Sequence, residues 1–231
     1  MPLVARNGTC ADETLQISHA LVYADRARRW SLIAELTNRT ADSVQTALLC
    51  LTIRNPAGGM PIYEEWFAGM ALEGYETIPV RVLLQATDIH SDTEISVFAR
   101  TDQTQAARAD RASTGDKQLV AGTKAATLLA TSDDARSFSV SAVTLHGVAP
   151  GPLTVQGELH NSGTQAVSNV HLVFALRGSD DGLVGVADAQ VTELEPLGAG
   201  QAVSFTATTN MALAPVARYT WLAKGDVAEA P

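Results

Sequence analysis

An all-β protein made of two tandem antiparallel β-sandwiches joined by a long linker is what this sequence predicts, on three grounds. The first is repetition. Laid over each other without a gap, residues 15–54 and 138–177 share one pattern of apolar and turn residues, 123 positions apart. Glu35-Leu36-Thr37-Asn38-Arg39-Thr40 falls on Glu158-Leu159-His160-Asn161-Ser162-Gly163, and Val44 falls on Val167. The same offset carries Val80 and Val82 onto Val203 and Phe205, and Phe98 onto Trp221. Such a period exceeds the ~20–50 residues of a solenoid unit and suits a small domain.

The second ground is alternation. Leu32, Ala34, Leu36; Val80, Val82, Leu84; Val155, Gly157, Leu159; and Val203, Phe205, Ala207 recur with period two, the mark of strands with one buried face. The third is punctuation. Asn38-Arg39-Thr40-Ala41-Asp42, Asn55-Pro56-Ala57-Gly58-Gly59, Asn161-Ser162-Gly163-Thr164 and Gly178-Ser179-Asp180-Asp181-Gly182 are turn clusters. In them Gly and Asn supply positive φ, while Asp and Ser bond to nearby backbone. Each repeat, at about 90 residues, has room for about seven strands, the number an immunoglobulin-like sandwich uses.

Taken in order, residues 1–14 read as an N-terminal arm, 15–102 as the first sandwich and 103–135 as the linker. Residues 136–226 read as the second sandwich and 227–231 as a tail. The linker is rich in Ala, Thr, Gln and Asp, which suits a connection between domains better than one inside a domain. Its more apolar later part, 118–122 and 125–130, could add an edge strand to either sandwich.

A chain of 231 residues with 46% apolar content can fill two cores of this size. No apolar run approaches the ~18–20 residues that cross a bilayer as a helix. Residues 1–14 turn polar after Val4 and do not read as a signal peptide. Two readings stay open: a cytoplasmic protein, or a trimmed mature form. The net charge of −9 is shared between the repeats, and neither contains a basic cluster. Phosphate contacts need clustered Lys and Arg, so nucleic acid and anionic membrane are poor candidate partners.

The second repeat contains Gly157-Glu158-Leu159-His160-Asn161-Ser162-Gly163, then Val167, Val170 and Phe174-Ala175-Leu176-Arg177-Gly178, then Leu197-Gly198-Ala199-Gly200-Gln201 and Phe205. On these residues it resembles the FxLyD domain, a prokaryotic sandwich common in secreted and surface proteins. Arg177 and Gly178 replace the family's Tyr and Asp, and Ala199 replaces its Pro. The first repeat is further away, with Leu51-Thr52-Ile53-Arg54-Asn55 at the namesake strand. The resemblance implies a fold, a location outside the cytoplasm or on the cell surface, and association with other molecules. Its motif positions are turn and core positions and imply no chemistry.

The polar residues point the same way. The five histidines have no close ligand spacing, and Asp180-Asp181-Gly182 lacks the alternating oxygens of a calcium loop and reads as a hairpin turn. Glu64 and Glu65 are neighbours on a strand and so face opposite ways, which rules them out as an acid–base pair across one bond. There is no nucleophile motif and no phosphate loop. The expectation is a protein that is not an enzyme, with no catalytic residue, metal or cofactor.

Two features exceed what the repeat needs. Tyr63, Trp66 and Phe67 form an aromatic segment where the second repeat has Leu183-Val184-Gly185-Val186. They are the candidate interaction residues, for a protein or a surface polymer; the competing reading has Trp66 and Phe67 filling the first core. Cys10 and Cys50 are the candidate disulfide. Cys50 falls on the strand face away from Leu49, Leu51 and Ile53, where an arm ending in Cys10 could be stapled, or both could be thiols. The expected function is an interaction module outside the cytoplasm, with self-association open. The alternative is a structural subunit of a surface filament or other assembly.

Overall fold

The structure is a computed structural model and describes residues 3–4, 6–7, 14–25, 27–44, 47–55, 62–67, 72–86, 89–90, 92–101, 117–123, 138–191 and 196–228. On residues 3–4, 6–7, 63–67, 117–123, 190 and 227 the description is of the backbone. All the regular elements among these residues are strands. The chain divides into two compact units, Met1–Ser113 and Thr114–Pro231.

Unit 1 contains β1 (Leu3–Val4), β2 (Arg6–Asn7), β3 (Leu15–Ala24), β4 (Trp30–Asn38), β5 (Ala47–Arg54), β6 (Ile62–Phe67), β7 (Thr77–Leu83) and β8 (Glu94–Thr101). They form two four-stranded sheets, in the orders β1-β3-β4-β7 and β2-β8-β5-β6. All neighbours are antiparallel except β2 and β8. Alternation puts Leu32, Ala34 and Leu36 on one face of β4, and all three are fully buried. Leu49, Leu51 and Ile53 do the same on β5.

Unit 2 contains β9 (Lys117–Thr123), β10 (Phe138–Gly147), β11 (Gly151–Asn161), β12 (Val167–Arg177), β13 (Leu183–Gln190), β14 (Ala202–Ala212) and β15 (Arg218–Val227). Their hydrogen-bonded order is β10-β11-β14-β13-β12-β15-β9. A single pair, Asp188 with Thr208, joins β13 to β14, so the sheet is a three-stranded and a four-stranded half. The halves bury one cluster in which Val155, Leu159 and Phe205 meet Leu172, Phe174 and Leu176. The Phe174 ring stacks on Phe205 at 5.5 Å and meets Tyr219 edge-on at 5.6 Å. This is a sandwich-like core. β9 lies within the stretch read as linker and pairs along β15 from Thr220–Thr123 to Asp226–Lys117.

The repeat is present in the register. Ile17 opposes Leu36 and Val140 opposes Leu159; Ser18 opposes Glu35 and Ser141 opposes Glu158. A bulge follows Ser18 in one unit and Ser141 in the other, with His19 and Ala142 both at φ 52°. The 123-residue offset holds through β5–β6 and β12–β13, where Leu49 opposes Trp66 and Leu172 opposes Ala189. It then slips. Leu36 opposes Ile78 but Leu159 opposes Val203, so Ile78, and not Val80, corresponds to Val203. On the last strands Ile53 opposes Ile95 and Leu176 opposes Tyr219, which makes Val97, and not Phe98, the counterpart of Trp221.

The shared Asn is a clasp. Asn38 and Asn161 are both fully buried. The Asn38 amide donates to the carbonyls of Asp42 (2.7 Å) and Glu73 (2.9 Å), and its oxygen accepts from the Thr40 N–H at 3.0 Å. Asn161 donates to Gln165 (2.8 Å) and Leu197 (2.9 Å) and accepts from the Gly163 N–H at 3.0 Å. Two isolated bridges sit beside these clasps, Val44 with Leu72 and Val167 with Leu197. Each Asn therefore ties its own turn to the segment leading into β7 or β14, and its buried amide finds backbone partners for both its nitrogen and its oxygen.

Candidate interaction site

Strand β6 carries the aromatic segment and pairs with β5 from Leu48–Phe67 to Ile53–Ile62. Position 66 lies opposite Leu49, a core residue with no exposed surface. Positions 63 and 67 lie opposite Thr52 and Leu48 on the alternate register set. Cross-strand partners share a face, so the backbone assigns position 66 to one set and positions 63 and 67 to the other. The side chains of Tyr63, Trp66 and Phe67 themselves lie outside the described residues. Glu64 and Glu65 oppose Leu51 and Cys50 and so also belong to different sets.

Cys50 is buried, with 4% of its surface exposed, between Phe98 on β8 and Glu65 on β6. It belongs to the register set opposite to Leu49, Leu51 and Ile53. Cys10 lies outside the described residues.

Several of the described polar side chains hold turns and bulges. His19, at the bulge, places Nδ1 2.7 Å from the Glu35 carboxylate. His160 Nε2 is 3.2 Å from the Gly200 carbonyl oxygen, and His146 Nε2 is 3.2 Å from the Thr144 hydroxyl. At His90 the backbone N–H donates to the Thr93 hydroxyl at 2.8 Å, closing a turn. Among the described residues no three His, Cys, Asp or Glu side chains converge on one point.

Gly178–Gly182 is the hairpin joining β12 to β13. The Gly178 N–H donates to the Gly182 carbonyl at 3.0 Å, and the Gly182 N–H donates to the Asp180 carboxylate at 3.1 Å. Asp181, at φ 67°, pairs with the Arg218 guanidinium, and its carbonyl accepts from Arg177 at 2.9 Å. Arg177 and Gly178 thus secure this turn.

Sequence reading missed the Asp25 turn between β3 and β4. The Asp25 carboxylate accepts from the N–H groups of Ala27 (2.8 Å) and Arg29 (2.9 Å) and pairs with the Arg29 guanidinium at 2.8 Å. Desolvation by burial pushes this carboxyl up, but the Arg29 backbone bond, side-chain bond and charge, with the Ala27 bond, hold it below the usual carboxylate range. An Asp two to four residues before its donors was the available signal.

No helix among the described residues is long and apolar enough to cross a membrane. No family model and no curated protein matches this chain. Solved structures to which it is similar include a red sea bream transglutaminase, at 10% identity and TM-score 0.24, covering 95% of this chain and 32% of that one. Another is the infectious bursal disease virus Gx strain, at 12% identity and TM-score 0.23, covering 100% of this chain and 66% of that one. A third is vicilin from the hazelnut Corylus avellana, at 8% identity and TM-score 0.19, covering 93% and 84%. The chain thus spans about a third of the transglutaminase's length (32%). Likenesses of this size carry nothing over to this chain.

Proposed function

We propose that the protein is a non-catalytic interaction module of two tandem immunoglobulin-like, FxLyD-like sandwiches that works outside the cytoplasm and binds a protein or a surface polymer. What supports this reading most is where the repeated residues are used. Glu35 and Asn38, with Glu158 and Asn161, hold bulges and turns or lie on sheet faces, and the repeated apolar residues fill cores. The repeat is thus invested in scaffold. Task-specific residues belong where the repeats differ, and β6 is such a place.

Co-sedimentation of the purified chain with isolated cell-wall polymer and with intact cells tests this reading. Tyr63→Ala, opposite the half-buried Thr52, is expected to abolish binding with the melting temperature nearly unchanged. Binding that survives this substitution, or a loss of stability in step with binding, contradicts it. Trp66→Ala, opposite Leu49 in register, is expected instead to cost the ~3–5 kcal/mol of a large aromatic truncation.

A second reading, a structural subunit of a surface filament or other assembly, is favoured by one observation. In unit 1 the edge strand β3 is covered by β1, whereas β10 of unit 2 pairs with β11 alone among the described residues. Light scattering over a concentration series separates the two readings, since an assembly subunit gains mass with concentration.

A further inference from the structure

On unit 1, β1 runs antiparallel to β3 with Leu3 opposite Val22 and Val4 opposite Leu21. The shared bulge puts Leu145 and Thr144 of β10 at the positions of Val22 and Leu21. We propose that β10 takes an added strand at this edge, and that the strand is the N-terminal segment of a second copy of the chain, with Leu3 opposite Leu145 and Val4 opposite Thr144. This deepens the assembly reading and rests on it.

Among the described residues β10 pairs with β11 alone, β9 comes near it without pairing, and its composition leaves the edge open. β10 runs ten residues, Phe138-Ser-Val-Ser-Ala-Val-Thr-Leu-His-Gly147, with no charge and no proline. An edge row of free N–H and C=O groups templates further pairing, and proteins ordinarily block it with Lys, Pro, bulges or a covering segment. The bulge at Ala142 does not close this edge, because β3 has the same bulge and still accepts β1 three residues later. Exposure agrees. Thr144, His146 and Gly147 are exposed and Leu145 is half-buried, whereas Val22 and Tyr23 of the covered strand have 0% and 2% of their surface exposed.

The occupant follows from the equivalence. This chain already contains a segment that sits on that edge in that register, and it is apolar at both paired positions. Its nearest charge is Arg6, and β10 has none to oppose it. Strand addition of this kind draws affinity from main-chain bonds and register from side-chain alternation.

The test titrates isotope-labelled full-length protein with a synthetic peptide of residues 1–9 and follows backbone amides. The expected result is shifts concentrated on residues 143–146 at peptide concentrations up to about 1 mM. A peptide carrying Leu3→Pro and Val4→Pro, which cannot donate to a strand, is expected to bind at least tenfold more weakly. Mixing a Val4→Cys chain with a Thr144→Cys chain is expected to give an interchain disulfide between those two positions. Shifts confined to β3, or none at all, overturn the proposal, as does a mixture without the 4–144 link. A chain that assembles without shifts on β10 overturns this edge and spares the assembly reading. A chain that stays monomeric at every concentration overturns the assembly reading and with it the occupant named here.

Discussion

Units 1 and 2 place different side chains at the same register positions, and the exchange is compensated across the strand. In unit 1 Ala34 opposes Val80; in unit 2 Gly157 opposes Phe205. A Cβ on Gly157 would lie 2.9 Å from the Phe205 ring and 2.8 Å from the Ser141 carbonyl oxygen, so the larger ring needs the missing methyl. Backbone register has been kept while volume was traded, as close-packed interiors require. Faces have changed more freely. Ser31, Ile33 and Glu35 of β4 are buried, but their counterparts Thr154, Gln156 and Glu158 on β11 are half-buried or exposed. One plan therefore supports a strand buried on both faces in unit 1 and on one face in unit 2.

The largest expected effect separates the units outright. Leu159→Asp puts an unpaired carboxylate in the core of unit 2, at a cost of about 4 kcal/mol or more, and should unfold that unit while unit 1 keeps its calorimetric transition. Loss of both in one transition would mean that the units fold as one. Next, Asn38→Ala and Asn161→Ala should each cost about 2 kcal/mol in chemical denaturation, because each removes three hydrogen bonds made by a fully buried amide. A cost confined to one unit would break the equivalence of the clasps.

Gly157→Ala should cost about 2 kcal/mol by overpacking, and adding Phe205→Val should recover the part of that loss due to the ring, while the contact with the Ser141 carbonyl remains. Additive losses in the double variant would refute compensation. The smallest effect belongs to Asp25, in a turn whose counterpart carries a cis Ala149–Pro150 bond and no carboxylate. Its folded pKa is depressed, so its contribution is present above the unfolded value near ~3.9 and is lost as pH falls through the folded value. Asp25→Asn should lower stability by about 1 kcal/mol at neutral pH and flatten the acid limb of unit 1 alone.

These comparisons also mark what was legible beforehand. Strand positions and the β3–β6 equivalence could be read because period-two apolar residues and Asn turns sit at constant spacing. The slip on β7 and β14 was hidden because a two-residue shift returns every side chain to the same face, so Val80 on Val203 looks as good as Ile78 on Val203. On β8 and β15 aromatic likeness paired Phe98 with Trp221, although a one-residue shift puts them on opposite faces. Of the aromatic segment, the sequence could name Tyr63, Trp66 and Phe67 together, but only cross-strand register divides position 66 from the other two. The composition of the β10 edge was readable in Phe138–Gly147 as a run without charge. Its meaning depended on seeing β1 cover the equivalent strand.

The central claim is that the units share one register and differ at that edge. Residue-resolved amide hydrogen exchange on the dilute full-length chain tests it most directly. The account predicts matched protection along β4 and β11, with outward amides slow at residues 21–22 of β3 and fast at residues 144–145 of β10. Slow exchange at both edges, or unmatched protection between β4 and β11, would contradict it.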